Sequence, residues 1–443
     1  MKKVLFITYY WPPAGGGGIQ RITRFCKYLN RYGWMPIVLT VRNGDYMTTD
    51  ESLKHDVVNI DHVYLARPLE PHILYKQFSR LIAWFKNPLR KKAPQSKKIK
   101  PQAMSLNKKI GEYIRLNLFI PDSRIGWRKD ACKIGTQIIE KEQPELIFSS
   151  APPYTTHLIA QRLSKKMKIP WVADFRDPWL ENHAYNTVPR LRLVKSINQK
   201  LEAQVLQTAN HITCANRRLK QLLVSKLPRD QASKCHVITN GYDRDDIKDV
   251  EPSSDRFPIS YYGTIYPNGF PIHLLEAIQE YAEEDKTFSG DVLFNVVGNI
   301  SPNTQVLLTQ MIPAQNLNIQ PYVGHEKLLE YLYQPQILVV VINNFQLNEA
   351  TVPGKIYEYL PTGNPILGLG PVPGDTADIL EKTGTGTMYT HHDKEGIKRF
   401  IRQSYDLWKA KKIQQTTRRF PEFEQRALME KLAKLFNQLC KEP

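Results

Sequence analysis

Four consecutive glycines, Gly15–Gly18, stand between a short apolar run, Lys3–Tyr9, and a helical pattern carried by Ile19, Ile22, Phe25, Cys26 and Leu29. Without Cβ atoms such a loop lets a ligand approach the backbone, and the free N–H groups of the following helix start point at it. An anion, usually a phosphate, is the natural ligand; a merely flexible turn is the alternative. The loop is not GxGxxG, because Gln20 takes the place of the third glycine, and it is not a P-loop, because no Gly-Lys-Ser/Thr follows. A dinucleotide site also asks for an acid after the second strand, and Arg42 and Asn43 stand there, so NAD binding is disfavoured. A second set, Asp174 and Arg176, falls at the C-terminal end of a predicted strand, the edge where open α/β sheets bind ligands. Asp174 there could accept a proton, or Asp174, Arg176 and Asp177 could form an ion cluster that fixes the loop. A third set, Gly354, Lys355 and Glu358, opens a predicted helix. A cation in a first turn opposes the helix dipole unless an anionic ligand sits at the same helix start. Lys355 could equally be solvated, or pair with Glu358 at i,i+3.

Metal chemistry has little support. The eleven histidines never form HExxH. The five cysteines, Cys26, Cys132, Cys214, Cys235 and Cys440, are odd in number and form no CxxC, which argues against structural zinc and a disulfide framework and suits a reducing compartment.

The elements that must position these residues alternate between strand and helix. Lys3–Tyr9 and Pro36–Val41 read as strands flanking the first helix, a βαβ unit that implies a parallel sheet covered on both faces. Further strands are predicted at Val63–Leu65, Leu146–Ser149, Trp171–Asp174, Ile212–Cys214 and His236–Thr239, with helices such as His157–Lys168 and Val194–Ala209 between them. Asn240-Gly241 opens a turn-rich stretch to Pro258 that reads as an inter-domain linker. The pattern then restarts with a strand at Ile259–Tyr262, a helix at His273–Glu284, strands at Val292–Val297, Ile337–Ile342 and Pro365–Leu369, and a short helix from Lys355. In the last helix Leu428, Leu432, Leu435, Phe436 and Leu439 form one apolar face. With 443 residues, 42% hydrophobic and 23% charged, the chain suits two large globular domains.

The net charge of +18 is unevenly spread. From Pro71 to Gly111 there is no Asp or Glu, while Trp84, Lys76, Arg80, Lys86 and Arg90 interleave with Leu74, Phe78, Leu81, Ile82, Phe85 and Leu89 at helical spacing. A basic amphipathic helix with aromatics suits an anionic membrane surface; packing on the core with a solvated basic face is the alternative. No apolar stretch approaches the ~20 residues of a membrane span, and the first strand begins almost at Met1 with no apolar leader ahead of it. A cytoplasmic protein, at most peripheral on the inner face of the membrane, is expected.

Several segments in order resemble the retaining glycosyltransferases of the GT-B fold, in the large family 4 group. They are Tyr9–Arg21, Ile120–Trp127, Ser149–Leu158 and Pro170–Trp179 in the first half, and Ile238–Asp243, Tyr261–Pro267 and Val352–Leu367 in the second. The resemblance implies an α/β chain of two Rossmann-like domains facing across a cleft, residues 1–245 binding the acceptor and 257–410 the nucleotide-sugar. Residues 411–443 would carry a C-terminal helix back to the first domain. It implies transfer of a hexosyl or N-acetylhexosaminyl group with retention, from a nucleotide-diphosphate sugar to a glycan acceptor, commonly lipid-linked, in polysaccharide biosynthesis. No cofactor, metal or nucleic acid is implied.

By the same resemblance Glu358 is the second acid of the family's paired-glutamate motif and accepts hydrogen bonds from the donor ribose, for which a carboxylate is suited. Lys355 and the N–H groups near Gly354 would hold the diphosphate, and Asp174 would orient a sugar hydroxyl. Two departures stand out. Position 350, where the first acid belongs, is Ala350, with Glu349 beside it; and Gly263 is followed by Thr264 instead of an Arg and a Lys. Thr264, Tyr266 and Asn268 could hydrogen-bond phosphate oxygens, Arg21 could supply missing charge, and the glycine loop Gly15, Gly16, Gly17 and Gly18 would carry more of the phosphate. Tyr322–His325 could contact the base, with His325 read as an ordinary loop histidine. The competing readings are a GT-B epimerase of UDP-N-acetylsugars, for which no matching acid/base set is found, and a catalytically silent GT-B scaffold. Nucleic-acid binding is weaker, since the basic stretch lies in no recognised motif.

Overall fold

The computed structural model describes residues 1–46, 49–68, 106–183, 188–248, 255–265, 271–334, 336–411 and 418–440. The amphipathic basic segment at Leu74–Leu89, the Lys/Pro-rich stretch at Pro94–Ala103, Tyr266 and Asn268 lie outside them.

Two parallel sheets carry the architecture. The first is built from β1 (Lys2–Ile7), β2 (Trp34–Val41), β3 (Val63–Ala66), β4 (Leu146–Ala151), β5 (Trp171–Phe175), β6 (His211–Cys214) and β7 (Cys235–Val237), in the spatial order β3-β2-β1-β4-β5-β6-β7. The second holds β8 (Phe257–Tyr262), β9 (Val292–Val297), β10 (Leu317–Gln320), β11 (Ile337–Val341), β12 (Ile366–Leu369) and β13 (Gly386–Tyr389), in the order β10-β9-β8-β11-β12-β13. Each therefore reverses direction once, between β1 and β4 in the first and between β8 and β11 in the second. Such switch points open a crevice at the carboxyl ends of the strands.

Helices cover both faces, as continuous apolar strands require. In the first half they are α1 (Gly17–Leu29), α2 (Leu106–Leu118), α3 (Arg128–Glu142), α4 (Thr155–Met167), α5 (Arg192–Thr208) and α6 (Arg217–Ser225). In the second they are α7 (Ile272–Glu284), α8 (Lys286–Asp291), α9 (Pro302–Met311), α10 (His325–Leu332), α11 (Lys355–Tyr359), α12 (Asp375–Thr383) and α13 (Lys394–Lys409), and α14 (Gln425–Leu439) closes the chain. The helix α14 returns to the first sheet. Its Leu428, Met429, Leu432 and Phe436 join Phe6, Phe25, Trp34 and Phe148 in one buried cluster, with the Phe436 ring edge-on to Trp34 at 5.3 Å. The return is stitched by backbone: Tyr242 N–H donates to Phe423 O, and Gln425 N–H donates to Tyr242 O.

The segment Ile120–Trp127 has a structural task. Asp122 is buried, and its carboxylate accepts from the Thr155 N–H at 2.9 Å and the Thr155 hydroxyl at 2.8 Å. It thus caps α4 from a distant part of the chain. Strand and helix predictions agree with the observed elements to within a few residues. The edge strand β13 was not foreseen.

Candidate functional site

The glycine loop leads from β1 to α1 at the first switch point. Gly16 has φ +114°, a conformation side chains rarely adopt, and its residue-wise role is to start α1 at Gly17. The first turn of α1 has neither a side-chain cap nor an acid; the Ile19 N–H returns to Gly16 O, and the N–H groups of Gly17 and Gly18 ahead of it suit an anion.

Asp174 and Arg176 are placed differently from expectation. Asp174 is fully buried and accepts four hydrogen bonds: Arg21 Nη2 at 2.7 Å, Arg21 Nε at 3.1 Å, Ser150 Oγ at 2.7 Å and Thr213 Oγ1 at 2.7 Å. Burial alone would raise its carboxyl, but the Arg21 charge and these hydrogen bonds outweigh that and hold it below the usual range. With its lone pairs engaged and no exposed surface, Asp174 is not positioned to orient a sugar hydroxyl or take the acceptor's proton. Arg21 is corrected with it. Its side chain is fully buried against Asp174 and also donates to Ile238 O, Thr239 O and Asn240 Oδ1, so it lends no free charge to a phosphate. The pair instead ties α1 to β5 and to the start of the linker.

Arg176 donates to the carbonyls of Ala151, Pro152 and Gly18. It joins the loop after β4 to the glycine loop, and the charges of Asp177 and Asp174 act on it there. Its placement is that of a positioning residue for the helix start.

Across the cleft, Gly263 ends β8 at the second switch point. Its φ of +134° requires glycine, and a Cβ there would meet Lys355 Nζ at 2.8 Å. Lys355 Nζ donates to Tyr262 O and lies 4.3 Å from the Tyr261 ring centroid. Burial lowers its ammonium to about 8, opposed in part by Glu358. Thr264 is exposed, and its carbonyl accepts from the Tyr261 hydroxyl.

Glu358 is largely buried and pairs with His325 Nε2 at 2.9 Å. Burial would raise the Glu358 carboxyl; His325, Arg24 and a hydrogen bond from Gln20 more than offset this and hold it low. Burial would lower His325, and Glu358 more than offsets that in turn, so the imidazole titrates above its usual value. His325, expected to be an ordinary loop histidine, is thus the direct partner of the central acid. Gln20 and Arg24 are the residues that sequence reasoning missed. They lie four apart on α1, and that polar stripe among apolar neighbours is the signal that would have found them. Through them the helix that starts at the glycine loop faces Glu358.

The cleft is bridged elsewhere too. Asn216 Nδ2 donates to Ala350 O at 2.8 Å, and Arg218 pairs with Asp375 and Asp378, each at 2.7 Å. The Tyr322 hydroxyl, placed by expectation at a base, donates to Asp50 Oδ2 at 3.0 Å, and the His183 ring stacks on Phe345.

Comparison with known proteins agrees with this fold. Residues 100–246 match the model of glycosyltransferase family 4. The HepE protein of Anabaena, in complex with UDP and glucose, superposes with a TM-score of 0.61 at 12% identity, covering 99% of this chain and 100% of that one. The chain has the GT-B fold, and its residues 100–246 resemble glycosyltransferase family 4. Sucrose-phosphate synthase from Thermosynechococcus elongatus has a TM-score of 0.63 at 13% identity, with 100% of both chains covered. A protein described as a UDP-N-acetylglucosamine 2-epimerase from Listeria monocytogenes has a TM-score of 0.57 at 12% identity, covering 100% of this chain and 98% of that one. At such identities the likeness is one of fold. No curated protein matches the chain. Among the described residues, no helix is long and apolar enough to cross a membrane.

Proposed function

We propose that the chain is a retaining glycosyltransferase that moves a sugar from a nucleotide-diphosphate sugar to a glycan acceptor, lipid-linked, in polysaccharide assembly. The observation that carries this reading is the set Glu358, His325 and Lys355 at the second switch point, facing the free N–H groups of α1 across the cleft. Glu358 accepts the donor ribose hydroxyls. Lys355 and the glycine-loop N–H groups take the diphosphate, whose charge grows as it leaves. The acceptor oxygen bonds to the anomeric carbon as the carbon–oxygen bond to phosphate breaks on the same face, and the acceptor's proton passes to the departing phosphate oxygen. No protein nucleophile and no metal enter this scheme. UDP is the first nucleotide to try, since HepE is also known in complex with UDP-glucose. The basic run from Pro71 to Gly111 would hold the enzyme at an anionic cytoplasmic membrane surface, near a lipid-linked acceptor.

Lys355 makes donor binding pH-dependent. Its free-state pKa is about 8, and a bound diphosphate would raise it, so the Lys355 contribution to UDP affinity is expected to be constant below that pH and to fall above it. Calorimetric titrations across the range should show this break, and Lys355→Gln should abolish it. A break that persists in the variant assigns it to another group.

The function itself is tested by thermal shift against UDP-, GDP-, ADP- and dTDP-sugars, because a ligand of the folded state alone raises the melting temperature. NMR of the stabilising nucleotide-sugar without acceptor then separates the classes. A transferase leaves the sugar's configuration unchanged. Conversion to an epimer would replace this reading with the epimerase, and no stabilisation by any of the four would favour a silent scaffold.

A further inference from the structure

On the face of the first sheet opposite α14, the helices α3 and α4 touch where Gly135 meets Leu163 and part to leave a cavity of about 650 Å³. Five cations line it: Arg128, Lys129 and Lys133 from α3, and Arg162 and Lys166 from α4. No acid lines it, and none of the five has an ion pair among the described residues. Its floor is apolar, with Ile125 and the buried Leu163.

Three placements here are unfavourable in the empty protein. Arg128 and Lys129 sit in the first turn of α3, where the helix dipole repels a cation. Lys129 with Lys133, and Arg162 with Lys166, are like-charged pairs at i,i+4, a destabilising spacing. The Arg128 Nε–H is buried without a hydrogen-bond partner. A bound anion reverses all three at once. It would take the arginine N–H groups and the helix start, and the opposed charges would become ligands of one group.

We propose that the α3–α4 groove is a second anion site, outside the donor cleft, that binds a phosphate-bearing ligand whose apolar part rests on Ile125 and Leu163. Arginine forks suit phosphate oxygens, and the lysines add point charge. The site is independent of the donor assignment, because it shares no residue with Glu358, His325 or Lys355.

The test measures binding of inorganic pyrophosphate by calorimetry, and of phosphatidylglycerol–phosphatidylcholine vesicles by flotation. The proteins are the full chain, R162Q/K166Q and K355Q, at low ionic strength. Both groove side chains are exposed, so their exchange for glutamine leaves the fold intact. Loss of two surface cations is expected to weaken at least one probe on the order of tenfold or more, while K355Q retains that binding. Pyrophosphate as the affected probe identifies a soluble phosphate ligand; vesicles identify a lipid headgroup. If neither probe binds, if R162Q/K166Q binds both as the parent does, or if K355Q loses the same binding equally, the proposal is overturned.

Discussion

Replacing Asp174 with alanine is expected to destabilise the fold by about 3–5 kcal/mol, the usual consequence of removing one partner of a buried ion pair. The reason is Arg21. Its side chain has no exposed surface, and Asp174 is its counter-charge. Alanine also orphans the hydroxyls of Ser150 and Thr213, which donate to the same carboxylate. Urea unfolding should show a lower midpoint with an unchanged slope. Arg21→Met combined with Asp174→Ala should cost less than the two single changes added together, because the double variant leaves no unpaired charge. The sign with pH is fixed by the depressed carboxyl. The pair's contribution is complete above the unfolded value of about 3.9 and is lost as pH falls through the lower folded value. A variant as stable as the parent but inactive would restore the catalytic reading of Asp174.

Glu358→Ala should weaken UDP binding on the order of a hundredfold. Two hydrogen bonds to a charged acceptor are each worth roughly 1.5–3 kcal/mol, and competition from His325 in the empty site brings the expected loss to the lower end, about 3 kcal/mol. Glu358→Gln, which keeps one acceptor, should fall between. A second readout needs no ligand. His325 titrates above its ordinary value because of Glu358, so in Glu358→Ala its NMR-observed pKa should drop. If the imidazole titration does not move, the pair is not formed in solution; if it moves but UDP affinity holds, the donor assignment of Glu358 fails on its own.

Much of the architecture was legible in the residues. Interior strands such as Ile337–Val341 stand out because a strand covered on both faces must be apolar throughout. The edge strand Gly386–Tyr389 did not, since its side chains are largely part-exposed and carry no such run. The last helix was readable from its apolar face, and its return to the first sheet was implied by the family resemblance and is seen in the buried cluster it joins. The glycine loop was readable as a helix start, and Glu358 and Lys355 as neighbours on one short helix.

The roles of the charged residues were not readable in the same way. Asp174 at a strand end has the same local sequence whether it faces a ligand or an arginine, and its partner Arg21 lies 153 positions away. Likewise Glu358 meets His325 across 33 positions, and Gln20 and Arg24 reach it from the other half of the chain. Periodicity is a local property, set by backbone geometry and by which face must leave water, so the sequence by itself determined the elements, their parallel order and the two-sheet plan. The pairing of charges depends on distance and burial between segments far apart in the chain. Only the tertiary structure could decide that Asp174 and Arg21 neutralise each other, that Arg176 clamps the glycine loop, and that Glu358 remains at the cleft opposite the helix that loop begins.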